Sequence, residues 1–183
     1  MKDRNPKPDD LKASVEAIET VPERKDEKTG RKTPGEMEVV VRMTNDADRA
    51  LHYISDVRAT RYDPSTKTLV VALSDEGREV IPGAIMKLPV FRRIDPRSTA
   101  EIRLRVPDRI IKLSRSAPPG ELAFETHQLS DAQEVVVEVA WADVPYYKDT
   151  RAKADDKRLP AARWEQHKAR TKKAIKGGRK PKS

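Results

Sequence analysis

Four stretches of the chain alternate apolar and polar residues with a period of two, and that pattern leaves little choice of local structure. Met37, Val39, Val41 and Met43 face one way while Glu38 and Arg42 face the other. Leu69, Val71 and Leu73 repeat the pattern, as do Val135, Val137, Val139 and Trp141. The cleanest case sets Ala100, Ile102, Leu104 and Val106 against Glu101, Arg103 and Arg105. Successive side chains of a strand point to opposite faces, so each run buries one face and wets the other, as in antiparallel sheets.

Shorter runs fill the gaps. Tyr53 to Tyr62 is β-branched and aromatic, with a slip of phase near Ser55-Asp56 that predicts a bulge. Asp63-Pro64-Ser65-Thr66-Lys67 reads as a turn, making a hairpin with the Leu69 strand. Met86 to Ile94 predicts an edge strand, because Pro89 cannot donate to a ladder. Leu122 to Leu129 predicts another, after the turn Ala117-Pro118-Pro119-Gly120. In residues 11–21, Leu11, Val15 and Ile18 fit a short helix, whereas Ala13, Val15, Ala17 and Val21 fit a strand. The strand is preferred, with Pro22 to Gly35 as a long polar hairpin loop.

About seven or eight short strands with regular turn signals predict an all-β fold, a single antiparallel β-sandwich. At the level of fold it resembles the immunoglobulin-like and fibronectin-like sandwiches. The cysteine pair of true immunoglobulin domains is absent, and Trp141 lies in the last strand, not the third. The resemblance therefore implies an architecture and no function.

Charge divides the chain. Residues 148–183 hold fourteen basic and four acidic side chains, whereas residues 36–147 carry a net −3 and residues 1–35 a net +1. The expected organisation is a flexible N-terminus (1–10), a β-sandwich domain (11–147) and a basic C-terminal tail (148–183), helical or disordered. Pro160 suits a first helical turn, Ala161 to Lys176 are mostly helix formers, and Gly177-Gly178 ends the run. Glu165 near its start, with Lys172, Lys173 and Lys176 near its end, suits the helix dipole.

Cations set against phosphates or carboxylates give salt-sensitive affinity. The candidate partner-binding residues are therefore Arg163, Lys168, Arg170, Lys172, Lys173, Lys176, Arg179, Lys180 and Lys182. Trp164 joins them as an aromatic to stack on a base or fill a partner's pocket. A helical wheel leaves only Trp164, Thr171 and Ile175 opposite the charges, too narrow an apolar face for membrane insertion.

Reactive chemistry is sparse. There is no cysteine, the body's histidines are His52 and His127, and no Gly-x-Ser-x-Gly elbow accompanies them. Thr29-Gly30-Arg31-Lys32-Thr33 lacks phosphate-loop spacing, and Asn45-Asp46-Ala47-Asp48 with Asp75-Glu76 lacks the glycine-punctuated loop of an EF-hand. Arg103 and Arg105 read as a solvated face paired with carboxylates. No catalytic residue, cofactor or metal is expected.

The expected function is a non-enzymatic binding or assembly subunit. The sandwich docks on a protein partner or larger complex, and the tail grips an acidic surface. The alternative is a nucleic-acid-binding protein whose tail contacts the phosphates of RNA or DNA. A third, an enzyme built on Asp46, Asp48, His52 and His127, rests only on the capacity of loops to host chemistry. Met1 to Pro6 leads into no apolar signal segment, and no run approaches the roughly 18 apolar residues of a membrane span, so a cytoplasmic location is expected.

Overall fold

The computed structural model describes residues 7–25, 27–74, 89–113, 123–143 and 167–175. Among them the chain is built from strands, with no α-helix and only two three-residue 3-10 turns, Pro8–Asp10 and Leu129–Asp131. In chain order the strands are β1 (Leu11–Val21), β2 (Arg24–Lys25), β3 (Lys32–Thr33), β4 (Glu36–Asn45), β5 (Leu51–Ile54), β6 (Ala59–Asp63) and β7 (Thr68–Leu73). They continue with β8 (Phe91–Ile94), β9 (Thr99–Pro107), β10 (Arg109–Leu113), β11 (Phe124–Gln128), β12 (Glu134–Ala142) and β13 (His167–Ala174). No described helix is long and apolar enough to cross a membrane.

One sheet has three antiparallel strands in the order β1-β4-β9. Residues 11–21 take the strand alternative, with a bulge between Val15 and Ala17 that lets an eleven-residue strand follow the ten-residue β4. The polar stretch after it folds back as the small β2–β3 ribbon, where Gly30 supplies a positive φ of 66°.

The second sheet is organised around β12. Along one edge β12 pairs with β13 from Glu134↔Ala174 to Trp141↔His167. Its other edge is shared: β7 runs beside Glu134–Val139, and β5 meets Trp141 and Ala142. β6 adds to β7 and β8 adds to β5. The β7–β12 pair is parallel, which departs from the wholly antiparallel sheet expected. Between the two strands the chain forms β8 to β11, and such a long connection lets β12 return in the same direction as β7.

The slip of phase near Ser55 is a break and not a bulge. β5 ends at Ile54, β6 begins at Ala59, and the two take different partners. The Asp63–Lys67 turn forms as expected. Asp63 Oδ1 accepts from the Ser65 amide at 2.9 Å and its hydroxyl at 2.6 Å, and Lys67 takes the left-handed φ of 51°. Of the expected 86–94 strand, Phe91–Ile94 is observed and residues 86–88 lie outside the described set, as does the 117–120 turn.

The expected C-terminal helix is corrected: His167–Ala174 is a strand. In isolation a helix of that length is only marginal, whereas the open edge of β12 offers a full ladder of backbone hydrogen bonds. The sequence also obliges a period of two. Lys168, Arg170 and Lys172 take the outer face, leaving small Ala169 and Thr171 to pack opposite Val139 and Val137. Ala169 is buried and belongs to the core. Eight residues of the basic segment are therefore part of the sheet.

The inner faces of the two sheets meet in one apolar cluster. Leu11, Met37, Val39, Val41, Met43, Leu104 and Val106 come from one sheet, and Leu51, Tyr53, Leu69, Val71, Leu73, Val135, Val137, Val139 and Trp141 from the other. Burying each such aliphatic side chain stabilises by about 1.5–3 kcal/mol relative to exposure. Trp141 is fully buried, stacked on His167 of β13 with ring centroids 4.7 Å apart.

At one end Asn45 ties the sheets together. It is fully buried, and its Nδ2 donates to the carbonyls of Arg49 (2.8 Å), Asp95 (2.9 Å) and, more weakly, Ile94 (3.3 Å). Its Oδ1 accepts from the Ala47 amide at 2.9 Å. Thus the last residue of β4 holds the turn that leads into β5 against the end of β8. Asn45→Ala strands buried carbonyls and an amide, so chemical denaturation should show a loss of about 1–3 kcal/mol; unchanged stability would remove this bridge from the explanation of how the sheets join.

Candidate anion-binding face

Outward side chains of β13 lie beside those of β12 on the outer surface of the larger sheet. Lys168, Arg170 and Lys172 stand at alternate positions, about 6.8 Å apart along the strand. The neighbouring outward positions of β12 hold Glu134, Val136, Glu138 and Ala140. Across β7, Arg61 of β6 reaches the same surface.

Glu138 is the centre of this arrangement. Arg61 Nη2 lies 3.0 Å from its Oε2, and Arg170 Nε lies 3.7 Å from its Oε1. Lys172 Nζ is 3.5 Å from Glu134 Oε2. Glu138 sits low and two cations sit high: the Glu138 side chain is 19% exposed, those of Arg170 and Lys172 are 67% and 73%, with Glu134 and Arg61 between them. Partial burial and the charge of Arg61 lower the Lys168 ammonium below its ordinary pKa. Among the described residues, cations outnumber carboxylates on this face by four to two, so the surface they turn to solvent is positive.

Of the candidate residues read from the sequence, Lys168, Arg170 and Lys172 are thus brought together on one face. Lys173 turns the other way, and its Nζ bonds the Glu16 carbonyl of β1, linking the two sheets along that side. Arg163, Trp164, Lys176, Arg179, Lys180 and Lys182 lie outside the described residues. Arg61 was missed by sequence reasoning. It sits in a short polar strand far from the tail, and only the β6-β7-β12-β13 order puts it within reach.

Several other charged groups find local partners. On the smaller sheet, Arg103 Nη1 meets Glu38 Oε1 at 2.9 Å and Arg105 Nε meets its Oε2 at 3.3 Å. The hydrogen bond from Arg103 first, and that from Arg105 second, hold the Glu38 carboxyl below its ordinary pKa against the opposing effect of burial. These arginines form the paired, solvated face expected of them. Asp46 pairs with Lys12 at 2.7 Å and Asp10 with Arg49 at 2.6 Å. Asp10, Asp46 and Asp48 line a small cleft of about 210 Å³ together with Lys7, Arg49 and Arg97. Among the described residues no group of three or more histidine or acidic side chains is arranged to hold a metal.

The two body histidines sit on different elements. His127 of β11 packs against the Tyr62 ring at 5.6 Å and lies 3.7 Å from Glu125. His52 of β5 is half-buried, and its Nδ1 has no hydrogen-bond partner among the described residues. Burial, and then the charge of Arg93, lower its pKa, opposed by Asp143. No protein-family model, curated protein or solved structure matches the chain.

Two titrations follow. Arg103→Ala should raise the Glu38 titration midpoint toward the ordinary 4.5, read by carboxyl NMR; a stationary midpoint would mean that the ion pair is not its cause. Because the folded-state pKa is depressed, Glu38 contributes stability above the unfolded value, and this is lost as pH falls through the folded one. His52 behaves differently: its depressed folded pKa means that the unfolded chain takes the proton first. Stability should fall as pH drops below about 6.5. His52→Gln should flatten that part of the profile, and an unchanged slope would assign the effect to other groups.

Proposed function

We propose that this chain is a non-enzymatic binding module that docks on a protein partner or larger assembly and holds an acidic surface of it with the basic face of β13. The reading takes the two facing sheets as an immunoglobulin-like sandwich, supported by their shared core, although the parallel β7–β12 pair is its own variation on that plan. The observation that carries it is the layering of charge. Arg170 and Lys172 project from β13 above the shielded Glu138, with the half-buried Lys168 beside them, so an approaching anion meets ammonium and guanidinium groups first. Folding has already fixed these side chains on one sheet face, which lowers the ordering cost that an unstructured tail would bear on binding.

Nucleic acid is the second reading, favoured by the same regular row of cations, which suits a phosphate backbone as well as a carboxylate-rich protein surface. Affinity for immobilised polyglutamate, single-stranded RNA and duplex DNA, measured across a salt series, separates the two. Wild-type protein should bind at least one with a linear fall of log affinity against log salt. Lys168→Ala/Arg170→Ala/Lys172→Ala should weaken binding about tenfold or more and lower the slope on nucleic acid by up to about 3. Preference for polyglutamate supports a protein partner, and preference for nucleic acid supports the second reading. Equal binding by the triple variant, or no binding by wild type, would overturn both.

A further inference from the structure

Among the described residues, the outer edges of the two sheets are not equally protected. β13 carries its row of cations, which would repel a second copy of itself. β1 is bulged and has β13 beside it, linked through Lys173. β6 and β8 are five and four residues long. β9 is different: nine residues, a regular register with β4 from Thr99 to Pro107, and β4 as its one strand partner among the described residues. Its inward side chains, Ala100, Ile102, Leu104 and Val106, are all apolar, and its one proline is the last residue. Beside the free edge lies a cleft of about 350 Å³ between Arg103–Arg105 and the loop Ser55–Arg58.

We propose that the β9 edge is a self-pairing interface, and that its occupant is a second copy of this chain. Register selects this partner. A two-fold axis through Ile102 sets two β9 strands antiparallel with Glu101 of each copy opposite Arg103 of the other. Thr99 then faces Arg105, and on the inner face Ala100 faces Leu104. Cross-strand opposite charges stabilise a pair of strands whereas like charges repel, and symmetry makes every such pair occur twice. Sliding the axis to Arg103 would place two arginines face to face, so charge selects the first register. The product is a continuous sheet in the order β1-β4-β9-β9-β4-β1.

The Arg103 and Arg105 side chains are 62% and 67% exposed even while bonded to Glu38, and the Glu101 side chain is 47% exposed. The two arginines are therefore open to a second carboxylate, and Glu101 to a second guanidinium. Strand-to-strand contact buries less surface than a standard interface, so the dimer is concentration-dependent. It does not rest on the polyanion reading and uses none of its residues.

The test is sedimentation equilibrium of the full chain from roughly 10 μM to 1 mM, a range suited to a weak complex. Wild type should shift from monomer to dimer. Glu101→Arg sets arginine opposite Arg103 at both symmetric positions and should weaken association about tenfold or more. Arg103→Glu should do the same alone, and an equimolar mixture of the two variants should restore a mixed dimer. Thr99→Glu places a carboxylate opposite Arg105 and should strengthen the dimer, which keeps the test decisive if Arg103→Glu fails to fold beside Glu38. Monomer throughout the range, a Glu101→Arg dimer as tight as wild type, or no gain from Thr99→Glu would overturn the proposal.

Discussion

The backbone of β12 must be satisfied along both edges, and most of the architecture follows from how that is done. β12 contributes the buried row Val135, Val137, Val139 and Trp141, so it lies where unpaired amides and carbonyls are costly. One edge is closed by β7 and β5 laid end to end, the other by β13 alone. Without β13, eight positions of a core strand would lose their partners, and Trp141 would lose the His167 ring stacked on it. The cationic segment is therefore held to the body by a full backbone ladder, reinforced by Arg170, Lys172 and Lys173 acting on Glu138, Glu134 and the Glu16 carbonyl.

That placement changes how the excess positive charge of the C-terminal region acts. On a loose tail the cations would sample many directions. In a strand, alternation commits Lys168, Arg170 and Lys172 to the outer face and leaves Ala169 and Thr171 to pack inward. Shielded Glu138 draws in both Arg61 and Arg170, so two distant parts of the chain form one positive surface. The smaller sheet shows the opposite balance. There Glu38 accepts from both Arg103 and Arg105, and the outer face mixes signs along β9. One sheet thus presents a face suited to something acidic, while the edge of the other is complementary to itself.

Much of this was legible in the sequence wherever period-two alternation coincided with burial. Met37–Met43, Leu69–Leu73, Ala100–Val106 and Val135–Trp141 all lie in strands with the expected inward residues. The all-β class followed from them. Residues 11–21 resolved to a strand because β4 offered a partner, a fact of tertiary pairing that local pattern does not contain. The segment 167–174 misled for the complementary reason. Its Ala, Lys and Arg residues favour a helix, and its apolar content is too low to advertise a buried face. Only the vacant edge of β12 outweighs that propensity. Arg61 was invisible for the same cause: its role depends on strand order, which no local spacing encodes.

The most direct measurement is amide hydrogen exchange across His167–Ala174 in the full-length protein. If β13 completes the β12 edge, its ladder amides exchange slowly, matching those of Val135–Val139, and stay protected from low to moderate salt because the backbone ladder is not screened. Exchange at the rate of a free chain, with no loss of protection in β12, would contradict the placement on which the positive face depends.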